Sequence, residues 1–199
     1  TINNKESEEM NDTTKKQILK LIHQEVIPAI GCTEPIAFAL AAAKAAELLG
    51  KKPEKIDVYL SANILKNAMG VGIPGTGMVG LPIAIALGVL IGKSSYELEV
   101  LRDVTPEALE AGKQMIHDQI IHIALKENVD KLYIEVVCQA GESKSVAIIA
   151  HEHTHFVYCA KDDQVLLDER KSLEHTEEGE EEELKLSFNL VLSLIHISE

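Results

Sequence analysis

Ile121-His122-Ile123-Ala124-Leu125 and, a few residues on, Leu132-Tyr133-Ile134-Glu135-Val136-Val137-Cys138 decide the fold class of this chain. Ile121, Ile123 and Leu125 alternate with other residues, as do Leu132, Ile134, Val136 and Cys138. That is the period of a pleated strand with one buried face. Ser145 to Ala150, His155 to Ala160 and Val165 to Leu167 continue the pattern, with Gly141-Glu142 and Asp162-Asp163 placed as hairpin turns. Upstream of Ile121 the period is mostly helical. The expectation is an α+β fold, N-terminal helices with a glycine-rich loop followed by a mainly antiparallel β-sheet.

Working back from the strands, Thr105 followed by Pro106 starts a helix that reaches Asp118. Ser94 and Glu97 have the spacing of a capping box. Leu81 to Ile91 is an apolar helix. Ile56, Val58 and Leu60 alternate with Asp57, Tyr59 and Ser61 as a half-buried strand. A helix with Pro35 in its first turn starts after Thr33 and stops at Gly50, and its alanine-rich body permits close helix packing. An earlier helix, Thr13 to Val26, carries Ile18, Leu21, Ile22 and Val26 on one face and ends at Pro28 and Gly31.

The 199 residues have room for one ordinary domain, or for one domain plus part of a second. Apolar residues are 46 % of the chain but aromatics only 4 %, so the core is expected to consist of Ala, Ile, Leu and Val. A formal charge of −13 argues against a nucleic-acid partner, which needs a basic surface. The apolar run Met78 to Ile91, fourteen residues, is shorter than the roughly 20 of a membrane span. Three cysteines make no disulfide framework, and the polar N-terminus has no signal-peptide order. These features point to a cytoplasmic protein. Residues 1–11 read as a disordered tail, 12–170 as the α+β body, and 171–191 as an acidic linker leading into a further half. Residues 192–199, Leu-Ser-Leu-Ile-His-Ile-Ser-Glu, resemble the translation of a sequencing adapter and are set aside.

Two clusters stand out chemically. Gly31-Cys32-Thr33-Glu34-Pro35 sets a cysteine at a helix start, where free N–H groups favour an anionic ligand atom. A lone cysteine can equally be a small buried apolar residue. Ser61-Ala62-Asn63-Ile64-Leu65-Lys66-Asn67 is followed by five glycines within Gly70 to Gly80. Gly70, Gly72 and Gly75 formally spell a dinucleotide fingerprint, but they do not directly follow a strand, and Pro74 interrupts the turn. Such glycines let a backbone approach a carboxylate closely, or simply connect two helices. His151, His153 and His155 alternate, which on a strand puts all three on one face, as a metal site or as an exposed surface. Cys138 and Cys159 lie in apolar strands and read as core thiols. His117 and His122 have no recognisable context.

Gly31 to Pro35, Asn63 to Asn67, and the passage Val71 to Leu87 with its Pro-Gly-Thr-Gly-Met-Val-Gly-Leu-Pro core together resemble the L-cysteine desulfidase family, related to the α-subunit domain of iron–sulfur L-serine dehydratases. The resemblance covers about residues 15–170. It implies that Cys32 is the first of three cysteine ligands of a 4Fe-4S cluster, the other two belonging to a C-terminal half not present here; Cys138 and Cys159 do not correspond to them. It also implies a binding role for His153, which with Thr154 is similar to a His-Thr pair of the family.

The implied reaction is β-elimination from L-cysteine or L-serine, with an open iron assisting the leaving group. The substrate carboxylate would be held by Asn63, Lys66 or Asn67 with the Gly75-Thr76-Gly77 backbone; no base is identified. A pyridoxal-phosphate lyase using Lys66 as Schiff base is one alternative. A non-catalytic interaction or regulatory domain is another. A homo-oligomer is compatible with either.

Overall fold

The alternation beginning at Ile121 does build a sheet. A computed structural model describes Lys16 and residues 32–68, 70–73 and 76–170. Apart from Lys16, these belong to the compact unit spanning 28–174. The helix expected at Thr13 to Val26, the tail 1–11, the acidic stretch 171–191, the octapeptide 192–199 and Gly75 lie outside the described residues.

The elements run α1 (Thr33–Leu49), β1 (Lys55–Leu60), α2 (Ala62–Ala68), β2 (Gly72–Ile73), β3 (Met78–Val79), α3 (Leu81–Ile91), a 3-10 segment (Ser94–Glu99), α4 (Pro106–His117), β4 (Ile121–Leu125), β5 (Tyr133–Ala140), β6 (Ser143–Ala150), β7 (Phe156–Lys161) and β8 (Gln164–Asp168). Six strands form one sheet in the order β4-β1-β5-β6-β7-β8. Its neighbours are antiparallel except β1 and β4, which run parallel with Ile56 opposite Ile121. The fold is α+β, as its sequence pattern implies. The glycine passage closes into the small β2–β3 hairpin rather than an open loop.

One face of the sheet is fully covered. Ile56, Val58 and Leu60 are buried, as are Ile134, Val136, Cys138, Ala147 and Ile149. They point toward α1, which packs against β5 and β6. From Pro35 to Ala43 the α1 helix is apolar and buried all round, with α3 packed on it as well as the sheet, so this part needs no polar stripe. Small residues let α1 and α3 meet closely at Gly88 against Ala39, and at Gly92 against Ala43. Next, α4 packs on α3, with Gly112 against Ile83. Ser145, fully buried on the covered face, donates its hydroxyl to the Ala45 carbonyl at 2.6 Å, so its polarity is satisfied.

Helix ends follow local chemistry. Thr105 accepts from Ala108 N–H and Pro106 occupies the first position of α4. Gly50 ends α1 in the left-handed region at φ 72°. The capping box expected at Ser94 and Glu97 does not form: Glu97 has a φ of 49° inside the 3-10 segment. Ser94 is held instead by the Glu47 carboxylate, which accepts from both its N–H and its hydroxyl. A carboxylate from another helix has displaced the local cap.

Candidate functional site

Strand register brings the marked segments to one end of the sheet. Leu60 lies opposite Ile134, and Ile134 opposite Ile149. Beyond that shared end come α2, the connection 126–132 and the connection 151–155. At the other end, Ala45 meets Ser145, and a Cβ on Gly50 would sit 3.8 Å from Lys161 Nζ. The N-terminus of α1, with Cys32, therefore points toward the Leu60 end. Gly88 faces Ala39 and Gly92 faces Ala43, so α3 runs parallel to α1. Its start, at Gly80 and Leu81, is level with Cys32.

Cys32 is the residue before α1, with extended backbone (φ −67°, ψ 134°), an exposed free thiol and no side-chain capping bond. Cys138 and Cys159 are buried in strands. Burial pushes the Cys138 thiol up to about 12 and raises that of Cys159 despite the opposing charge of Lys44. Both are core thiols, which leaves Cys32 as the accessible cysteine of the three. Among the described residues no three His, Cys, Asp or Glu side chains gather as a metal-binding group.

Asn63, Lys66 and Asn67 lie exposed on α2, a short helix not marked out by the sequence pattern. Ser61 caps it: its hydroxyl accepts from Ile64 N–H at 3.3 Å and donates to the Lys131 carbonyl at 2.6 Å. Thr76 spends its hydroxyl inside the hairpin, donating to the Ile73 carbonyl at 2.8 Å and accepting from Met78 N–H at 3.0 Å. It orders the turn with its side chain and with its own N–H, which donates to the same Ile73 carbonyl at 3.2 Å. Gly77 is exposed with φ 65°, and Gly80 at φ 104° opens α3. Both conformations suit glycine.

The three histidines do not share a strand face. They sit in the β6–β7 connection, and His151 has a φ of 69° in its turn. The turn breaks the alternation: the His151 and His155 rings lie 6.3 Å apart, centroid to centroid, and each faces its own carboxylate. His151 Nε2 lies 3.7 Å from Asp130 and His155 Nε2 3.0 Å from Glu169. His153 Nε2 alone is buried, and among the described residues it is the one buried side-chain polar atom without a hydrogen-bond partner. His117 and His122 lie near Asp118 and Asp57, both on the surface.

A separate concavity of about 680 Å³ lies on the opposite face of the sheet, between Asp57, Tyr59, Lys126 and Glu135. Lys126 donates to Tyr133 at 3.0 Å and pairs with Glu135. Burial alone would lower the Lys126 ammonium, but hydrogen bonds to Glu135 and Tyr133 outweigh it and hold it above its ordinary value. Burial pushes the Tyr133 hydroxyl up to about 12. Tyr59 and Glu135 alternate with Val58 and Val136, which face α1, so this network lies on the face of the sheet turned away from α1. The sequence drew no attention to it, nor to Ser61 as a cap. A serine three residues before Ile64 was the available signal.

The chain is similar to UPF0597 proteins. It is 66 % identical over 183 residues to one from Parabacteroides distasonis, 64 % over 182 residues to one from Bacteroides thetaiotaomicron, and 48 % over 187 residues to one from Porphyromonas gingivalis. These alignments take in 92 %, 91 % and 92 % of this chain but only 43 %, 42 % and 43 % of the relatives, so the chain spans less than half their length. No family model and no solved structure matches it.

Proposed function

We propose that this chain forms the front portion of an iron–sulfur-dependent lyase that removes sulfide from L-cysteine, or water from L-serine, by β-elimination. The observation that carries the reading is a convergence: the exposed thiol of Cys32, the Asn63-to-Asn67 helix with the glycine hairpin that follows it, and the unpartnered His153 Nε2 come from three separate stretches of the chain and lie at one end of the sheet. Leaving a buried imidazole nitrogen without a partner costs stability, which makes sense where a ligand supplies the partner.

Cys32 fits a cluster as a single ligand, being accessible, free and at a helix start. The remaining ligands would come from sequence corresponding to the part of the relatives that the chain does not match. Such a cluster, when bound, supplies Lewis acidity to the leaving group. The residues of this chain would do the rest. Lys66 with Asn63 or Asn67 would bind the substrate carboxylate, and the Gly77 backbone N–H would add a donor, that of Thr76 being spent on the Ile73 carbonyl. His153 would donate to or accept from the substrate through Nε2. In the elimination the Cα–H and Cβ–S (or Cβ–O) bonds break. The resulting 2-aminoacrylate tautomerises to the imine of pyruvate, which takes up water and releases ammonia.

The pyridoxal-phosphate alternative depends on Lys66, whose side chain is exposed, whereas Schiff-base lysines are activated by desolvation. We also place the protein in the cytoplasm. An accessible free thiol suits a reducing compartment, and among the described residues no helix is long and apolar enough to cross a membrane.

The test uses a protein of the relatives' full length that carries this sequence, purified without air. It should contain iron and acid-labile sulfide and convert L-cysteine or L-serine to pyruvate and ammonia. Cys32→Ala should lose both the iron and the activity. Pyruvate formed by an iron-free preparation, or undiminished iron in Cys32→Ala, would overturn the reading.

A further inference from the structure

The two walls of the candidate site are held by one strut. On one side Ser61 ties α2 to the connection between β4 and β5: its hydroxyl donates to the Lys131 carbonyl at 2.6 Å, and its N–H donates to the Tyr133 carbonyl at 3.2 Å. The same hydroxyl accepts from Ile64 N–H at 3.3 Å, so it fixes both the start and the tilt of α2. On the other side His151 ties the histidine connection to the same few residues. Its N–H donates to the Leu132 carbonyl at 3.3 Å, and its Nε2 lies 3.7 Å from the Asp130 carboxylate. Residues 130–133 thus hold the asparagine–lysine helix and the loop of His153 through bonds on consecutive residues.

These attachments differ in strength. Ser61 is only 5 % exposed, and its bond from the Ile64 N–H is buried, so that bond is shielded from water. The His151–Asp130 contact is largely exposed and weak, so on that side the backbone bond does the holding. Removing the Ser61 hydroxyl would leave the buried Ile64 N–H without its cap and cut the tie to the Lys131 carbonyl, and the strut would lose its firm end.

We infer that Ser61 is a positioning residue that, through the 130–133 strut, sets the spacing between the carboxylate-binding helix and His153. This rests on the reading given above for the site, and it concerns a group that touches no substrate. Its control is built into the fold. Ser145 is also buried, more completely than Ser61, and donates to a backbone carbonyl at the same 2.6 Å, but at the far end of α1.

The experiment compares Ser61→Ala, Ser61→Thr, Ser61→Val and Ser145→Ala in the full-length protein. Amide hydrogen exchange reads the coupling without reference to activity. In Ser61→Ala both α2 and residues 151–155 should exchange at least about tenfold faster. In Ser145→Ala neither should change. Steady-state kinetics on L-cysteine and L-serine read the consequence: Ser61→Ala should raise KM about tenfold with little change in kcat, whereas Ser145→Ala should lower the melting temperature with KM unchanged. Thr and Val have the same shape, so KM near wild type in Ser61→Thr but not in Ser61→Val assigns the effect to the hydroxyl. Faster exchange confined to α2, or an unchanged KM in Ser61→Ala, would overturn the inference. A wild-type protein inactive on both amino acids would sink the lyase reading instead. The exchange result would then decide the strut by itself.

Discussion

Gly88 lies so close to Ala39 that a Cβ placed on it would come within 2.3 Å of the Ala39 carbonyl oxygen. The obstacle is helix backbone, which cannot swing aside as a side chain can. Gly88→Ala should therefore cost about 3 kcal/mol or more, because the α1–α3 seam must open along its length. Gly50→Ala should cost only about 1 kcal/mol, since its Cβ has room and the penalty is the left-handed backbone alone. Chemical denaturation of the two variants separates the mechanisms.

The three cysteines should differ in reactivity. Cys32 is exposed, whereas Cys138 and Cys159 are buried and burial raises both thiols. Only a thiolate attacks an alkylating reagent. Iodoacetamide at mildly alkaline pH should add one label to the folded protein, at Cys32, and should reach the other two only after denaturation. Peptide mass spectrometry checks both. Rapid native labelling at Cys138 would contradict its place under α1.

Cys138 also gives stability a pH dependence of known sign. In the unfolded chain a cysteine ionises at about 8.5. In the folded state burial pushes the same group up to about 12. Between those values the unfolded chain has lost the proton and the folded chain still holds it. This contribution is therefore intact below about pH 8.5 and declines as the pH climbs toward 12. Denaturation midpoints should fall over that range, and fall less steeply in Cys138→Ala.

His153 should show a conflict between stability and use. Its buried Nε2 has no partner among the described residues, so the ligand-free protein bears a desolvation cost. His153→Phe should leave stability unchanged or raise it by up to about 2 kcal/mol, while lowering turnover of the amino-acid substrate. Thermal melts and kinetics on one preparation test this. A strongly destabilised variant would mean that the imidazole is a structural group.

The sheet was legible because its buried face repeats every second residue. Gly141 at φ 57° and Asp162 at φ 50° turn the two hairpins where the sequence placed them. The parallel pairing of β1 with β4 was not legible, since alternation fixes which face is buried but not which strand is the neighbour. The capping box at Ser94 failed for a related reason. Local spacing cannot anticipate a carboxylate arriving from Glu47. The histidines looked like a strand face because the count of residues was right, while the positive φ of His151 had no glycine to announce it. At the site, Cys32 and the glycine hairpin could be marked from motif alone. The tie between Ser61 and Lys131 joins residues far apart in sequence, and only the fold brings them together.

The seating of β1 also constrains how the chain reaches this fold. Its two partners, Ile121 and Cys138 across from Ile56, come much later in the chain. During synthesis β1 leaves the ribosome before either of the strands that will pair with it. The meander β5 to β8, made of near neighbours, can close quickly once it emerges, but β1 must wait to be inserted between β4 and β5, which follow it at long range in the sequence. Slow, non-local closure of this kind leaves the nascent front half sticky, and sheltering by a chaperone over that interval is the expected need.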